Sequence, residues 1–200
     1  MPKNSMKKLL VCGDSFAADW TVKYKGRGWV NLLDENFAVT NLARAGVCEY
    51  KIYQQLISQD LRLFDAIIVA HTSPYRLYVK EHPIHSKDSL HSDCDLIYTD
   101  LVESLSTHPE LKSIVDYFER YFDTDYAKFV HGLICEKIQS LCDNLPVINL
   151  VNFKEQFDFK NSVSFVQVFE QHRGTMNHFD DAGNKIVYET VLSRLNEIIK

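Results

Sequence analysis

Short continuous apolar runs alternate along this chain with stretches in which apolar residues recur every third or fourth position. Residues 8–12, 37–41, 66–70 and 147–151 have the length and polar boundaries of buried strands, with 164–169 as a weaker fifth. Runs that stay apolar instead of alternating predict strands covered on both faces, as in a parallel sheet.

Helical stripes lie between them. Leu111, Ile114, Val115, Phe118, Tyr121 and Phe122 repeat with a helical period after residues 107–110, where Thr107 and Glu110 have capping-box spacing and Pro109 falls in the first turn. Phe129, Val130, Leu133, Ile134, Ile138 and Leu141 form a second stripe, with Asp125 as the expected cap. Ile186, Val187, Val191, Leu195 and Ile198 mark a last helix capped by Asp180 or Asp181.

Strands alternating with helices predict an α/β domain, a parallel sheet with helices on both sides. Ligands of such sheets bind beyond the carboxyl ends of the strands, which directs attention to the segments after Cys12, Asn41, Ala70 and Val151. Residues 77–99 are too polar and too long for a plain connection, and are expected to form an insertion bordering that edge.

Composition narrows the function classes. Two hundred residues, 46% hydrophobic and 24% charged, suit a single globular domain over 1–200 without repeats or linkers. A net charge of -5 argues against a protein that neutralises nucleic-acid phosphates or anionic membrane surfaces. The five cysteines contain no CxxC pair, and Cys12, Cys135 and Cys142 sit among apolar residues, which suits a reducing compartment. The apolar run before Gly13 is too brief for a signal-peptide core, and no stretch reaches the roughly 20 apolar residues of a membrane span. A cytoplasmic location, no membrane and no nucleic-acid partner are the expectations.

The chemistry starts at Gly13, Asp14, Ser15 and Phe16, directly after the first strand. A serine at this turn places its hydroxyl at the sheet's carboxyl edge and its own N–H where an oxyanion can form. Asp and Ser are also ordinary helix-cap residues, so the tetrapeptide alone is ambiguous. Three further features follow in order. Trp29 opens a helical segment, Asn41, Ala43 and Gly46 follow the second strand, and His178 stands before the last helix with Gly183 downstream. Together these resemble the SGNH/GDSL hydrolases.

That resemblance implies a flavodoxin-like, three-layer α/β/α sandwich of about five parallel strands. It implies Ser15 as nucleophile, His178 as general base, and the N–H groups of Ser15 and Gly46 in the oxyanion hole. The family usually supplies an asparagine after the third strand and an aspartate three residues before the histidine. Here the third strand runs into His71, Thr72, Ser73, Pro74, Tyr75 and Arg76, and Thr175 stands at the aspartate position. The hydroxyl of Thr72 or Ser73, or the Arg76 guanidinium, could substitute as oxyanion donor; Ser73 is the one assigned to the oxyanion hole, with Asp14, Arg44, Thr72 and Arg76 as substrate-binding candidates. Asp180 and Asp181 read as helix caps instead of triad members.

Other groupings carry less. His82 and His85, with His91, Asp93, Cys94 and Asp95, match no zinc spacing and read as a solvated loop. Cys48 has no histidine near it in sequence. Trp20, Tyr75 and Tyr78 with Arg76 are candidates for a sugar-stacking rim. The expected activity is hydrolysis of a small-molecule or carbohydrate ester without cofactor or metal. The alternatives are acyl transfer to a sugar hydroxyl and a non-catalytic binding module on the same fold.

Overall fold

The computed structural model describes residues 6–85, 90–154 and 157–199. Strands β1 (Lys8–Gly13), β2 (Ala38–Asn41), β3 (Ala66–Ala70), β4 (Val147–Val151) and β5 (Ser162–Ser164) pair in parallel in the order β2-β1-β3-β4-β5. The helices are α1 (Trp29–Leu33), α2 (Glu49–Ile57), α3 (Tyr98–Ser104), α4 (Lys112–Arg120), α5 (Thr124–Cys142), α6 (Val166–Gln171) and α7 (Asp181–Ile198). A short strand β6 (Arg173–Met176) leads into α7.

Alternate strand residues feed two separate cores, which is how continuous apolar runs become a three-layer flavodoxin-like α/β/α sandwich. Leu9, Val11, Ile68, Ile148 and Leu150 pack against Trp29 and Leu33 of α1 and Val187, Val191 and Leu195 of α7. Leu10, Cys12, Ile67, Val69 and Val147 face Ile52 and Leu56 of α2 and Ile138 and Cys142 of α5. Asn149 interrupts this second set, a polar side chain buried in the middle of β4.

Three local expectations are corrected. The weak strand at 164–169 is a strand only over Ser162–Ser164; Phe165 and Phe169, four apart, turn onto the α7-side core, and a helix meets that spacing where a strand cannot. Thr107 makes no capping box: its hydroxyl donates back to Ser104 O, and a single 3-10 turn over Pro109–Leu111 opens α4. The cap of α5 is Asp123, not Asp125, its carboxylate accepting from Asp125 N and Tyr126 N. Of the two candidates before α7, Asp180 is the cap, accepting from Gly183 N at 2.7 Å.

Helix α5 also turns a different face inward than its apolar stripe predicts. Phe129 and Leu133 are exposed, whereas His131, Cys135, Ile138 and Cys142 are buried.

The described parts of 77–99 are tied down at both ends. Leu77 and Leu96 pair as an antiparallel bridge, and buried Asp95 accepts from Cys48 N, Val79 N and the Lys51 ammonium. Leu96 joins Leu101, Leu111 and Val115 in a satellite core beneath α3 and α4. Among the described residues no helix is long and apolar enough to cross a membrane.

Candidate functional site

Because the chain moves from β1 outward to β2 and then back across to β3, the sheet has its topological switch between β1 and β3. Asp14 and Thr72, which follow those two strands, meet over this point. Thr72 Oγ1 donates to Asp14 Oδ2 at 2.9 Å, Arg76 Nη2 donates to the same oxygen at 3.0 Å, and Phe16 N–H donates to Asp14 Oδ1 at 3.0 Å. Burial pushes the Asp14 carboxyl up, against the pull of Arg76, the Phe16 N–H and Thr72.

Asp14 and Thr72 are both fully buried, and the Arg76 side chain is nearly so, with its Nη1 donating to Val47 O. These three expected substrate contacts are bonded to one another beside the Ser15 turn, and Arg76 also lines a cavity described below. Arg44, the fourth, is half-exposed and directed to Asp93 and Ala43 O.

Ser15 is 6% exposed, and its carbonyl accepts from Trp20 Nε1 at 2.8 Å. That bond and its burial withdraw Trp20 from the sugar-stacking rim. Asn41 ties β2 to the same turn through Ala17 O, and Gln55 brackets Gly13 with bonds to its N–H and its C=O. Neither Ser15 N–H nor Gly46 N–H has an acceptor among the described residues. Gly46 sits at φ +76°, and a Cβ there would lie 2.3 Å from Cys94 Sγ, so backbone conformation and close approach both require glycine. Ser73 Oγ accepts from Tyr75 N–H at 3.4 Å and keeps its own proton to donate.

The base candidate arrives on a strained turn. Asn177 and His178 are consecutive left-handed residues, at φ 51° and 64°, a conformation that non-glycine residues rarely hold without external support. The support is specific. Asn177, fully buried, donates to Ala18 O at 2.8 Å and Ser15 O at 3.4 Å; Asn184 of α7 donates to Met176 O, Phe179 O and Asp180 O and accepts from Trp29 N–H. Gly28 must stay glycine, since a Cβ there would fall 1.6 Å from Asn177 Oδ1.

The His178 ring packs on Phe16 and Trp20, with centroid separations of 4.7 and 5.3 Å. Burial, with Arg76 and His91 nearby, pulls its pKa down to about 4. No hydrogen bond joins its ring to Ser15 Oγ, and no carboxylate touches it, among the described residues.

Beside the switch point lies a second polar group that the sequence reading passed over. Glu49, in the first turn of α2, meets His71 Nδ1 at 2.6 Å and accepts from Thr72 N–H at 3.1 Å. His71 Nε2 meets Asn149 Oδ1 at 3.0 Å, and the ring stacks on Phe159. All three side chains are buried. A cavity of about 380 Å³ opens over Glu49, lined by Ser73, Arg76 and the tyrosines Tyr50, Tyr78, Tyr117, Tyr121 and Tyr126. The sequence signals for this group were an acid in a helix's first turn and an asparagine inside an apolar strand.

Cys48, next to Glu49, is buried with its thiol pushed up to about 12 by burial and Asp95, which leaves it inert as a nucleophile. Neither a scan against protein-family models nor a search of curated proteins returns a match for this chain.

Proposed function

We propose that the chain is a serine hydrolase of the SGNH/GDSL type that cleaves an acyl ester. The observation that carries this reading is the strained Asn177–His178 turn, which two buried asparagines hold against the Ser15 turn. Maintaining such a turn has a free-energy cost of order 1–3 kcal/mol per residue, and strain of this kind concentrates at functional sites.

In the proposed reaction Ser15 Oγ attacks the acyl carbon while His178 takes its proton. The tetrahedral oxyanion is held by the N–H groups of Ser15 and Gly46, with the Ser73 hydroxyl as third donor. His178 then returns the proton to the departing alcohol, and water repeats the sequence on the acyl-enzyme. Catalytic hydrogen bonds often close only with substrate in place, and the Ser15–His178 bond is expected to form in that way. The tyrosines around Ser73 and Arg76 favour a carbohydrate ester as the substrate class.

Intact-mass labelling with a fluorophosphonate tests this. One adduct is expected on the wild type and none on Ser15→Ala, with labelling of His178→Ala slowed roughly 10²–10⁴-fold. No adduct on folded wild type overturns the proposal and leaves a glycan-binding module as the reading to pursue.

The pH profile supplies a separate prediction. The base acts as neutral imidazole, so the rate falls as pH drops through the His178 pKa. With that pKa held down to about 4, the labelling rate should be flat between pH 6 and 8 and half-maximal near pH 4. A midpoint at the ordinary histidine value of 6.5 would mean that burial does not hold the base down as it does His178 here.

A further inference from the structure

His131 and Cys135 stand four residues apart on α5 and share its buried face, where Glu49 of α2 reaches them from across the layer. One donor atom from each, a carboxylate oxygen, a ring nitrogen and a sulphur, all lie within 4.8 Å of one another. Donors around a tetrahedral zinc ion, with bonds of about 2.0–2.3 Å, stand roughly 3.3–3.8 Å apart, so modest side-chain closure completes the geometry.

The second observation is His131 Nε2, which is buried with no hydrogen-bond partner. His131 is 7% exposed. A neutral imidazole needs one acceptor and one donor contact, and an orphaned buried nitrogen is ordinarily an unfavourable arrangement. A cation satisfies it.

We propose that Glu49, His131 and Cys135 form a binding site for one divalent metal ion of zinc-like character. A mixed oxygen, nitrogen and sulphur set favours such a borderline ion over magnesium or calcium. On binding, Cys135 gives up its thiol proton to solvent and its sulphur forms the metal bond. His71 and the Thr72 N–H orient the Glu49 carboxylate from behind. Glu49 and His131 line the tyrosine-rich cavity, which gives a fourth ligand access to the metal position. Three protein ligands with an open fourth position is the pattern of zinc sites that bind water or an exogenous ligand. The site is separate from Ser15 and His178 and stands whether or not they react.

Cobalt provides the test. The full chain, stripped with chelator and kept reduced, is titrated with Co²⁺ while thiolate-to-cobalt charge-transfer absorption and tetrahedral ligand-field bands are recorded. One Co²⁺ per chain with both features is expected, displaced by Zn²⁺. Cys135→Ser should lose the charge-transfer band, and His131→Gln should weaken binding at least about tenfold. Cys48→Ser, and a His82→Asn/His85→Asn double variant in the 77–99 segment, should bind as wild type does.

X-ray absorption at the zinc edge of the loaded wild type reads the donor set without any substitution. One sulphur at about 2.3 Å with lighter donors near 2.0–2.1 Å is expected. Absence of a sulphur ligand, a band that survives in folded Cys135→Ser, or loss of binding in the loop double variant overturns the proposal.

Discussion

Replacing Glu49 by alanine is expected to destabilise the protein by about 3–5 kcal/mol, since it strips the buried His71 ring and the Thr72 N–H of their carboxylate partner. The argument rests on which atoms can donate. Asn149 Nδ2 donates to Lys160 O at 2.7 Å, which fixes the amide and turns its oxygen to His71 Nε2. The other ring nitrogen faces a Glu49 oxygen at 2.6 Å. The His71 ring is thus held between a Glu49 carboxylate oxygen and the Asn149 amide oxygen, both of them acceptors. Burial alone would raise the Glu49 carboxyl, but His71, His131 and the Thr72 N–H together hold it below the ordinary value of 4.5.

A carboxyl with a depressed folded-state pKa contributes stability that is full above its unfolded value and is lost as pH falls through the folded one. The difference between wild type and Glu49→Ala should thus be largest near pH 7 and shrink below about pH 4.5. Urea unfolding with chelator present measures it, as a lower midpoint at unchanged slope. A loss under about 1 kcal/mol at pH 7 would mean that the buried Glu49 bonds contribute little to stability. Glu49→Ala/His71→Ala should be less destabilised than the sum of its parts, the signature of two coupled residues.

This cluster also marks where sequence reading runs out. The apolar runs were enough to place four strands and the three-layer fold, because burial on both faces of a parallel strand leaves little besides apolar residues to choose. The Ser15 turn, Gly46 and His178 were legible for a related reason: each follows a strand or precedes a helix at the one sheet edge where ligands bind. Asn149 and Glu49 were not, since each makes sense only against a partner more than 20 residues away, His71 in both cases. The stripe on α5 misled in the same way. Apolar periodicity ranks Phe129 and Leu133 above His131, yet His131 is the buried one, beside Glu49 of the facing helix. Asp14 and Thr72 were legible only as substrate-binding candidates, and the hydrogen bond between them, which joins the ends of β1 and β3, was not.

Asn184→Ala should damage stability and reactivity together, although the side chain is on α7 and has no contact with the Ser15 hydroxyl. Its amide donates to three carbonyls around the His178 turn and its oxygen accepts the first N–H of α1, at Trp29. The side chain is 1% exposed, so water cannot replace those bonds without opening the structure. Each buried group left unpaired costs about 1–3 kcal/mol, and with some relaxation a total near 3 kcal/mol is expected from urea unfolding. The turn would then relax from its left-handed conformation. A misplacement of about 1 Å at a reacting group can cost roughly 10²-fold in rate, so fluorophosphonate labelling of Ser15 should slow by about that factor under conditions where the variant remains folded. Asn184→Asp separates the two contributions. It keeps an acceptor for Trp29 N–H but sets a carboxylate against the carbonyls of Met176, Phe179 and Asp180, so it should slow labelling as severely as alanine does. If Asn184→Asp is folded and labels at the wild-type rate, the turn does not depend on those donated bonds, and the strain at His178 is upheld by Asn177 alone.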